Sequence, residues 1–234
     1  MSVPNPICVA LDTPDMAQAK ALAVSLKPYA GYLKIGLEFF YAHGRAGYQA
    51  VAETGLPIFL DLKLHDIPNT VASGLRSLMT LDPAPAIINV HATGGLDMMK
   101  AAAEAVDGRT RLIAVTILTS LSDDDLWSIG FETTRDTQSH ARILAELAMN
   151  AGLDGVVCSP HDIVGIRHAT RPGFMTVVPG IRPAEAGAQD QKRIATPQAA
   201  MAAGADILVI GRAITGAPDP VEAVRAICES LHAG

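Results

Sequence analysis

The stretch FLDLKLHDIPNT (residues 59–70) places leucines at 60, 62 and 64 and charged residues at 61 and 63. Successive side chains of a strand point to opposite faces. Leu60, Leu62 and Leu64 therefore share one side, and Asp61 and Lys63 share the other. One face suits packing, and the other gathers charge inside an apolar neighbourhood. The run His65-Asp66-Ile67-Pro68 must leave the strand, because the residue before a proline is restricted in its backbone. Alternation therefore does not settle where Asp66 faces.

The same two-sidedness recurs upstream. ICVALD (7–12) sets Ile7, Val9 and Leu11 against Cys8, Ala10 and Asp12, and GYLKIGL (31–37) sets Leu33, Ile35 and Leu37 against Tyr32, Lys34 and Gly36. If the apolar sets face a layer of helices, then Asp12, Lys34, Asp61 and Lys63 point inward near the carboxyl ends of three strands. Further β-like runs are PIFLDLKL (57–64), AIINVHA (86–92), RLIAVTIL (111–118), GVVCSP (155–160), FMTVVPG (174–180) and ADILVIGR (205–212), making eight in all. Between them, MAQAKALAVSL, ASGLRSLMTL, DMMKAAAEAV and SHARILAELAMNAG carry helical spacing, as does DPVEAVRAICESLHA after the last run. Regular alternation over a chain of 234 residues, without a linker or low-complexity block, predicts one (β/α)8 TIM barrel spanning 1–234. A doubly wound parallel sheet fits the same periodicity, which does not reveal closure.

Composition narrows the function classes. With 49% hydrophobic residues and a formal net charge of −6, the chain can bury a substantial core and lacks the excess of basic residues that a broad nucleic-acid surface requires. The apolar runs break after about five residues, far short of the ~20 needed to cross a bilayer. The opening MSVPNPICVALD lacks a basic leader followed by an apolar run, so a cytoplasmic location is expected. Cys8, Cys158 and Cys228 have no metal-ligand spacing and read as buried thiols. No HExxH, paired CxxC, Walker sequence or convincing GxGxxG appears, so metal, nucleotide-triphosphate and dinucleotide chemistry lack support in the sequence.

Two acids and two lysines facing one interior admit two readings, a structural ion-pair network or a catalytic array. In either, the alternating signs keep all four groups ionised, and a lysine so flanked stays an ammonium able to donate a proton. A second constellation lies late in the chain. VVPGIR brings Arg182 to the end of strand seven, and ILVIGR brings Gly211 and Arg212 to the end of strand eight. Loops after strands seven and eight of such barrels commonly bind phosphate, which a guanidinium fork suits. The polar stretch from Gly180 to Thr196 between these strands has the composition of a lid. His65, Asn89 and His91 read as interior hydrogen-bonded residues outside the chemistry, and SDDDLW (122–127) reads as a solvated loop or helix start.

The blocks VALD, YLKIGLEFF, FLDLKLHDIPNTV, NVHATGG, TILTS, VVPGIR, DQKR and VIGRAIT, in that order, resemble those of bacterial-type orotidine 5′-monophosphate decarboxylase over nearly the whole chain. The resemblance implies conversion of orotidine 5′-monophosphate to uridine 5′-monophosphate and carbon dioxide, in pyrimidine biosynthesis and without a cofactor. It implies Lys63 as the acid that protonates C6, Asp61 beside the departing carboxylate, Lys34 linking the array to the ribose and Asp12 on a ribose hydroxyl. It also implies Thr119 near the pyrimidine, and Gln191, Gly211 and Arg212 gripping the phosphate with Arg182 beside them. Gln189 competes with Gln191 for that role, and the following Lys-Arg favours Gln191. Asp66 and Thr70 are implied to reach the neighbouring subunit's site in a homodimer. The rivals are a magnesium-dependent phosphosugar enzyme on the same barrel and a catalytically silent phosphometabolite binder.

Overall fold

The structure, a computed structural model, describes residues 5–183 and 193–232. Eight strands alternate with helices: β1 (Ile7–Ala10), α1 (Met16–Leu26), β2 (Tyr32–Ile35), α2 (Leu37–Ala52), β3 (Ile58–Leu64), α3 (Pro68–Leu78), β4 (Ile87–His91), α4 (Leu96–Val106) and β5 (Arg111–Val115). After β5 come α5 (Asp123–Ser128), α6 (Thr137–Asn150), β6 (Gly155–Val157), α7 (Ile163–Ala169), β7 (Met175–Val178), α8 (Pro197–Ala203), β8 (Ile207–Ile210), α9 (Arg212–Thr215) and α10 (Pro220–His232). Every strand pairs in parallel with its neighbours in chain order, and β8 closes on β1 through Ile7–Leu208, Cys8–Val209 and Val9–Ile210. The closed barrel replaces the doubly wound alternative.

The two faces of each strand sort as alternation predicts. Val9, Leu33, Ile35, Leu60, Ile88, Leu112, Leu208 and Ile210 pack outward in one buried cluster with helix residues such as Leu26, Phe39, Leu75 and Met98. Cys8, Ala10, Phe59, Ile87, Ile113, Val177, Ile207 and Val209 form a separate cluster inside the barrel. Each fully buried aliphatic or phenyl side chain contributes roughly 1.5–3 kcal/mol, so the outer layer, with many more members, carries most of the stability.

Local chemistry explains the ends of several elements. Asp15 accepts the Gln18 N–H and starts α1. Ser122 and Asp125 cap α5 reciprocally, so SDDDLW is a helix start. Pro68 occupies the first turn of α3, where its missing N–H costs nothing, and the preceding Ile67 is extended at ψ 155°. The strands are shorter than the apolar runs: Asp12, Gly36, Thr119, Arg182, Gly211 and Arg212 all lie past their strand ends. Leu37 therefore does not continue the outward face of β2. It opens α2 and is 39% exposed. Cys8 and Cys158 are buried thiols, whereas Cys228 is only partly buried. Among the described residues no helix is long and apolar enough to cross a membrane.

Strands β6 and β7 approach closely at Gly155, which pairs with Met175. A Cβ built on Gly155 would fall 2.3 Å from the Met175 carbonyl oxygen and 2.6 Å from its Cβ. Gly155→Ala should therefore lower the unfolding free energy by about 1–3 kcal/mol in urea titration, the usual cost of overpacking. An unchanged midpoint would show that the two strands separate freely there.

Candidate active site

The cavity lies at the carboxyl ends of the strands, with a volume of about 280 Å³. Its floor is the top of the interior cluster, Ala10, Phe59 and Val209, and its walls rise from the loops that follow β1, β5, β7 and β8. Asp12, Lys34, Asp61 and Lys63 all line it, and so do Thr119, Arg182, Gly211 and Arg212. Eight of the eleven residues singled out in the sequence thus share one cavity. Asp66 and Thr70 do not line it; both are exposed on the turn into α3. Gln191, like Gln189 and most of the Gly180–Thr196 stretch, lies outside the described residues.

The four charges form a chain of alternating sign. Lys34 Nζ lies 3.0 Å from Asp12 Oδ1 and 3.4 Å from Asp61 Oδ2, and Lys63 Nζ lies 2.7 Å from Asp61 Oδ1. Burial disfavours the charged form of Asp61, but Lys34, Lys63 and hydrogen bonds from Lys63 and Asn89 outweigh it and hold the carboxyl below the ordinary Asp range. For Lys34 burial likewise opposes charge, and Asp61, then Asp12, hold the ammonium above the ordinary lysine value. Gly36 makes room for this contact, since a Cβ there would come within 3.0 Å of Lys34 Nζ.

Lys63 reaches the cavity through an irregularity. Leu60 pairs with Ile88 and Leu64 with Val90, so Asp61, Leu62 and Lys63 stand opposite the single residue Asn89. Lys63 takes φ 51°, a left-handed conformation that costs an L-residue about 1–2 kcal/mol. Asn89, fully buried, fills the break: its Oδ1 accepts the Lys63 N–H at 2.7 Å and its Nδ2 donates to Asp61 Oδ1 at 2.7 Å. The sequence reading set Asn89 aside with His65 and His91. Its position on the inward face of β4, beside the charged face of β3, was the available signal.

Elsewhere around the cavity, Arg182 is buried and its backbone N–H donates to the Ala195 carbonyl at 3.0 Å, while the Ala195 backbone N–H donates to the Gly180 carbonyl at 3.3 Å. Gly211 precedes α9, and a Cβ there would lie 3.4 Å from Asp12 Oδ2, so the loop after β8 sits directly against the charged array. Arg193, to which the sequence gave no role, donates from Nη1 to both Asp162 carboxylate oxygens, at 2.9 and 3.0 Å. It also donates to the Ile117 and Leu118 carbonyls at 3.2 and 3.3 Å, next to Thr119. Burial pushes Asp162 above its ordinary value despite the guanidinium beside it.

His65 and His91 stack beside Lys63, with centroids 5.3 Å apart and planes 18° from parallel. Burial first, then His65 and Lys63, push His91 down to about 4 from 6.5. Between those values the unfolded chain takes up a proton that the folded chain refuses, so stability falls as pH drops from 6.5 to about 4. Asp61 acts in a lower window: its contribution is complete above 3.8 and is lost as pH falls through its depressed folded value. His91→Asn should flatten the dependence of the urea midpoint on pH between 6.5 and about 4 and leave the more acidic limb in place. An unaltered slope in that window would mean that His91 accepts its proton in the folded state.

Residues 5–227 match the profile of the "Orotidine 5′-phosphate decarboxylase / HUMPS family". The chain is 53% identical over 227 residues to a protein of Novosphingobium aromaticivorans named orotidine 5′-phosphate decarboxylase, covering 97% of this chain and 99% of that one. A protein of the same name from Moorella thermoacetica is 48% identical over 241 residues, covering 99% and 94% of the two chains. The crystal structure of orotidine 5′-phosphate decarboxylase from Lactobacillus acidophilus superposes with a TM-score of 0.82 at 36% identity, covering 97% of this chain and 99% of that one.

Proposed function

The chain belongs to the orotidine 5′-phosphate decarboxylase / HUMPS family, and on that premise we propose that its cavity converts orotidine 5′-monophosphate to uridine 5′-monophosphate and carbon dioxide. The observation that carries this reading is the Asp12–Lys34–Asp61–Lys63 chain sharing one cavity with Arg182, Gly211 and Arg212. The first group supplies a proton and a field, and the second supplies cations and backbone N–H groups for a phosphate.

The chemistry follows from the charges. Breaking the bond between C6 and the carboxylate releases carbon dioxide and leaves the electron pair on an sp² carbon that the ring cannot readily delocalise. The Lys63 ammonium stabilises that pair and then transfers its proton to C6, becoming a neutral amine that solvent reprotonates. Asp61 beside the substrate carboxylate raises the energy of the bound ground state relative to the carbanion. Lys34 ties Asp61 to Asp12 and, with Asp12, meets the ribose. Thr119 meets the pyrimidine, and Gln191 joins the phosphate grip. Phosphate binding remote from C6 accelerates the reaction by fixing the base against the array. The positive charge the reaction needs comes from lysines, so the reaction proceeds without metal or organic cofactor.

In this reading the enzyme is a homodimer in the cytoplasm. Asp66 and Thr70 stand exposed, off their own cavity, on either side of Ile67, which is 67% exposed. A second subunit seated on this turn would cover that isoleucine and receive Asp66 and Thr70 at its own site.

A spectrophotometric assay following loss of orotidine 5′-monophosphate tests the reaction. Wild type should be active and insensitive to EDTA, and Lys63→Ala should lose at least about 100-fold in kcat/KM, the lower end of the contribution of a positioned acid. Near-normal turnover by Lys63→Ala would sink the proton-donor role, and loss of activity in EDTA would favour a magnesium-dependent phosphosugar enzyme. Mixing Lys63→Ala with Asp66→Ala subunits tests the shared site. The heterodimer assembles one site that has both residues intact, so activity should return from two nearly inactive parents.

A further inference from the structure

We propose that Asn89 is a positioning residue for this reaction: its carboxamide sets the orientation of the Asp61 carboxylate and holds the left-handed turn that presents Lys63. The inference rests on the decarboxylase reading, because it concerns the two side chains on which that mechanism turns.

The carboxamide has one possible orientation. A backbone N–H can only donate and an ionised carboxylate can only accept, so Oδ1 must face Lys63 N and Nδ2 must face Asp61. Both contacts are 2.7 Å, and the side chain is fully buried. At neutral pH asparagine offers a donor and an acceptor at that separation without carrying charge. Leucine provides neither, and aspartate in its ionised form provides only acceptors.

Each contact does separate work. The break in the β3–β4 ladder puts three residues opposite one, and Asn89 Oδ1 gives the Lys63 N–H the acceptor that the broken ladder does not. A part-buried N–H left without one would favour relaxation of φ 51° toward ordinary strand geometry. That relaxation would swing Lys63 Nζ off its line. On the other side, Asp61 Oδ1 receives both the Asn89 amide and the Lys63 ammonium, and this leaves Oδ2 turned to Lys34. Without the amide the carboxylate is free to rotate between two lysines. The distance between the proton donor and the acid beside it is thus fixed from below by one neutral group.

The charged and titratable groups around position 89 are Asp61 and Lys63 on β3, Lys34 on β2 behind Asp61, and the His91 imidazole two residues along β4. From β5 its paired neighbour is the apolar Ile113. A carboxyl at 89 would therefore face Asp61 directly, and the two would share a proton at low pH. In that protonated state an aspartic acid donates to Asp61 and accepts from Lys63 N–H, as asparagine does. Once ionised, it repels Asp61.

Two variants separate positioning from bulk structure. Kinetics of orotidine 5′-monophosphate decarboxylation across the pH range of wild-type activity are compared for wild type, Asn89→Asp and Asn89→Leu, with circular dichroism confirming the fold of each. Asn89→Leu should lose at least about tenfold in kcat/KM at every pH, mostly in kcat, as expected when a reacting group is displaced by a fraction of an ångström or more. Asn89→Asp should approach wild type at the acidic end and fall away as the shared proton leaves, so the ratio of the two kcat/KM values declines with pH. The inference is overturned if Asn89→Leu stays within about threefold of wild type, or if the Asn89→Asp ratio is flat in pH. If Asn89→Leu does not fold, the Asn89→Asp profile decides alone, since that variant keeps the acceptor for Lys63 N–H. Wild type that leaves orotidine 5′-monophosphate unchanged would instead defeat the functional reading itself.

Discussion

An ionised carboxylate nearly closed off from water is the constraint on which the upper half of this barrel depends. Asp61 side-chain exposure is 11%, and burial opposes its charged form. Two ammonium groups within 3.4 Å and one amide at 2.7 Å outweigh that opposition. The requirement then spreads to the neighbours. Lys34 is buried too and needs Asp12 as a second counter-charge, and Gly36 must lack a side chain so that Lys34 Nζ can sit where it does. Lys63 must leave the regular strand path to bring its ammonium back toward Asp61, which places it at φ 51° and breaks the ladder with β4. The bulge, the glycine and the buried asparagine are thus consequences of one charge held out of water.

Most of the architecture was legible because parallel barrel strands expose two buried faces with different demands. Alternation in ICVALD, YLKI and FLDLKL assigned the outer leucines and isoleucines and the inner Asp61 and Lys63 correctly, and MAQAKALAVSL has the bounds of α1. The expected strands ran past the real ends because residues such as Asp12, Leu118 and Arg212 continue an apolar run in sequence but leave the ladder in space. Leu37 shows the same limit, since its place in an alternating run did not reveal that Gly36 precedes a helix start. Helix α2 is diluted by two glycines, one of them Gly44 at φ 53°, and did not stand out as a helix.

The site was legible in its charges and illegible in its supports. Lysine and aspartate on an inward face are conspicuous because charge is rare there. Asn89 in IINV and Arg193 in DQKR carry no such contrast: one is a neutral residue in an apolar strand, the other a basic residue in a polar stretch. Their importance comes from partners far along the chain. Asn89 meets residues 26 and 28 positions earlier, and Arg193 meets Asp162 and carbonyl groups as far as 76 positions away. Periodicity within one segment holds no record of such partners. The left-handed backbone at Lys63 is hidden for the same reason, since nothing local in DLKLH requires it and a lysine does not advertise a positive φ as glycine would.

The neutrality of the array bears on the proposed chemistry. Asp12, Lys34, Asp61 and Lys63 sum to zero, so in the proposed reaction a substrate carboxylate beside Asp61 adds a negative charge that this array does not offset, and an Asp66 arriving from a second subunit would add to it. Loss of carbon dioxide leaves the total unchanged. In the proposed reaction it moves the negative charge from the side of Asp61 to C6, beside Lys63. The reaction thus carries charge away from a carboxylate and toward an ammonium 2.7 Å from it, and the energy gained depends on how firmly those two groups are held apart from each other's alternatives. A flexible pair would collapse onto the incoming charge, or swing away from it, and lose the difference between ground and transition states. Rigidity at Asp61 and Lys63 is therefore part of the catalytic interaction. In the role proposed for Asn89, that rigidity is supplied from beneath by a strand residue that bears no charge itself.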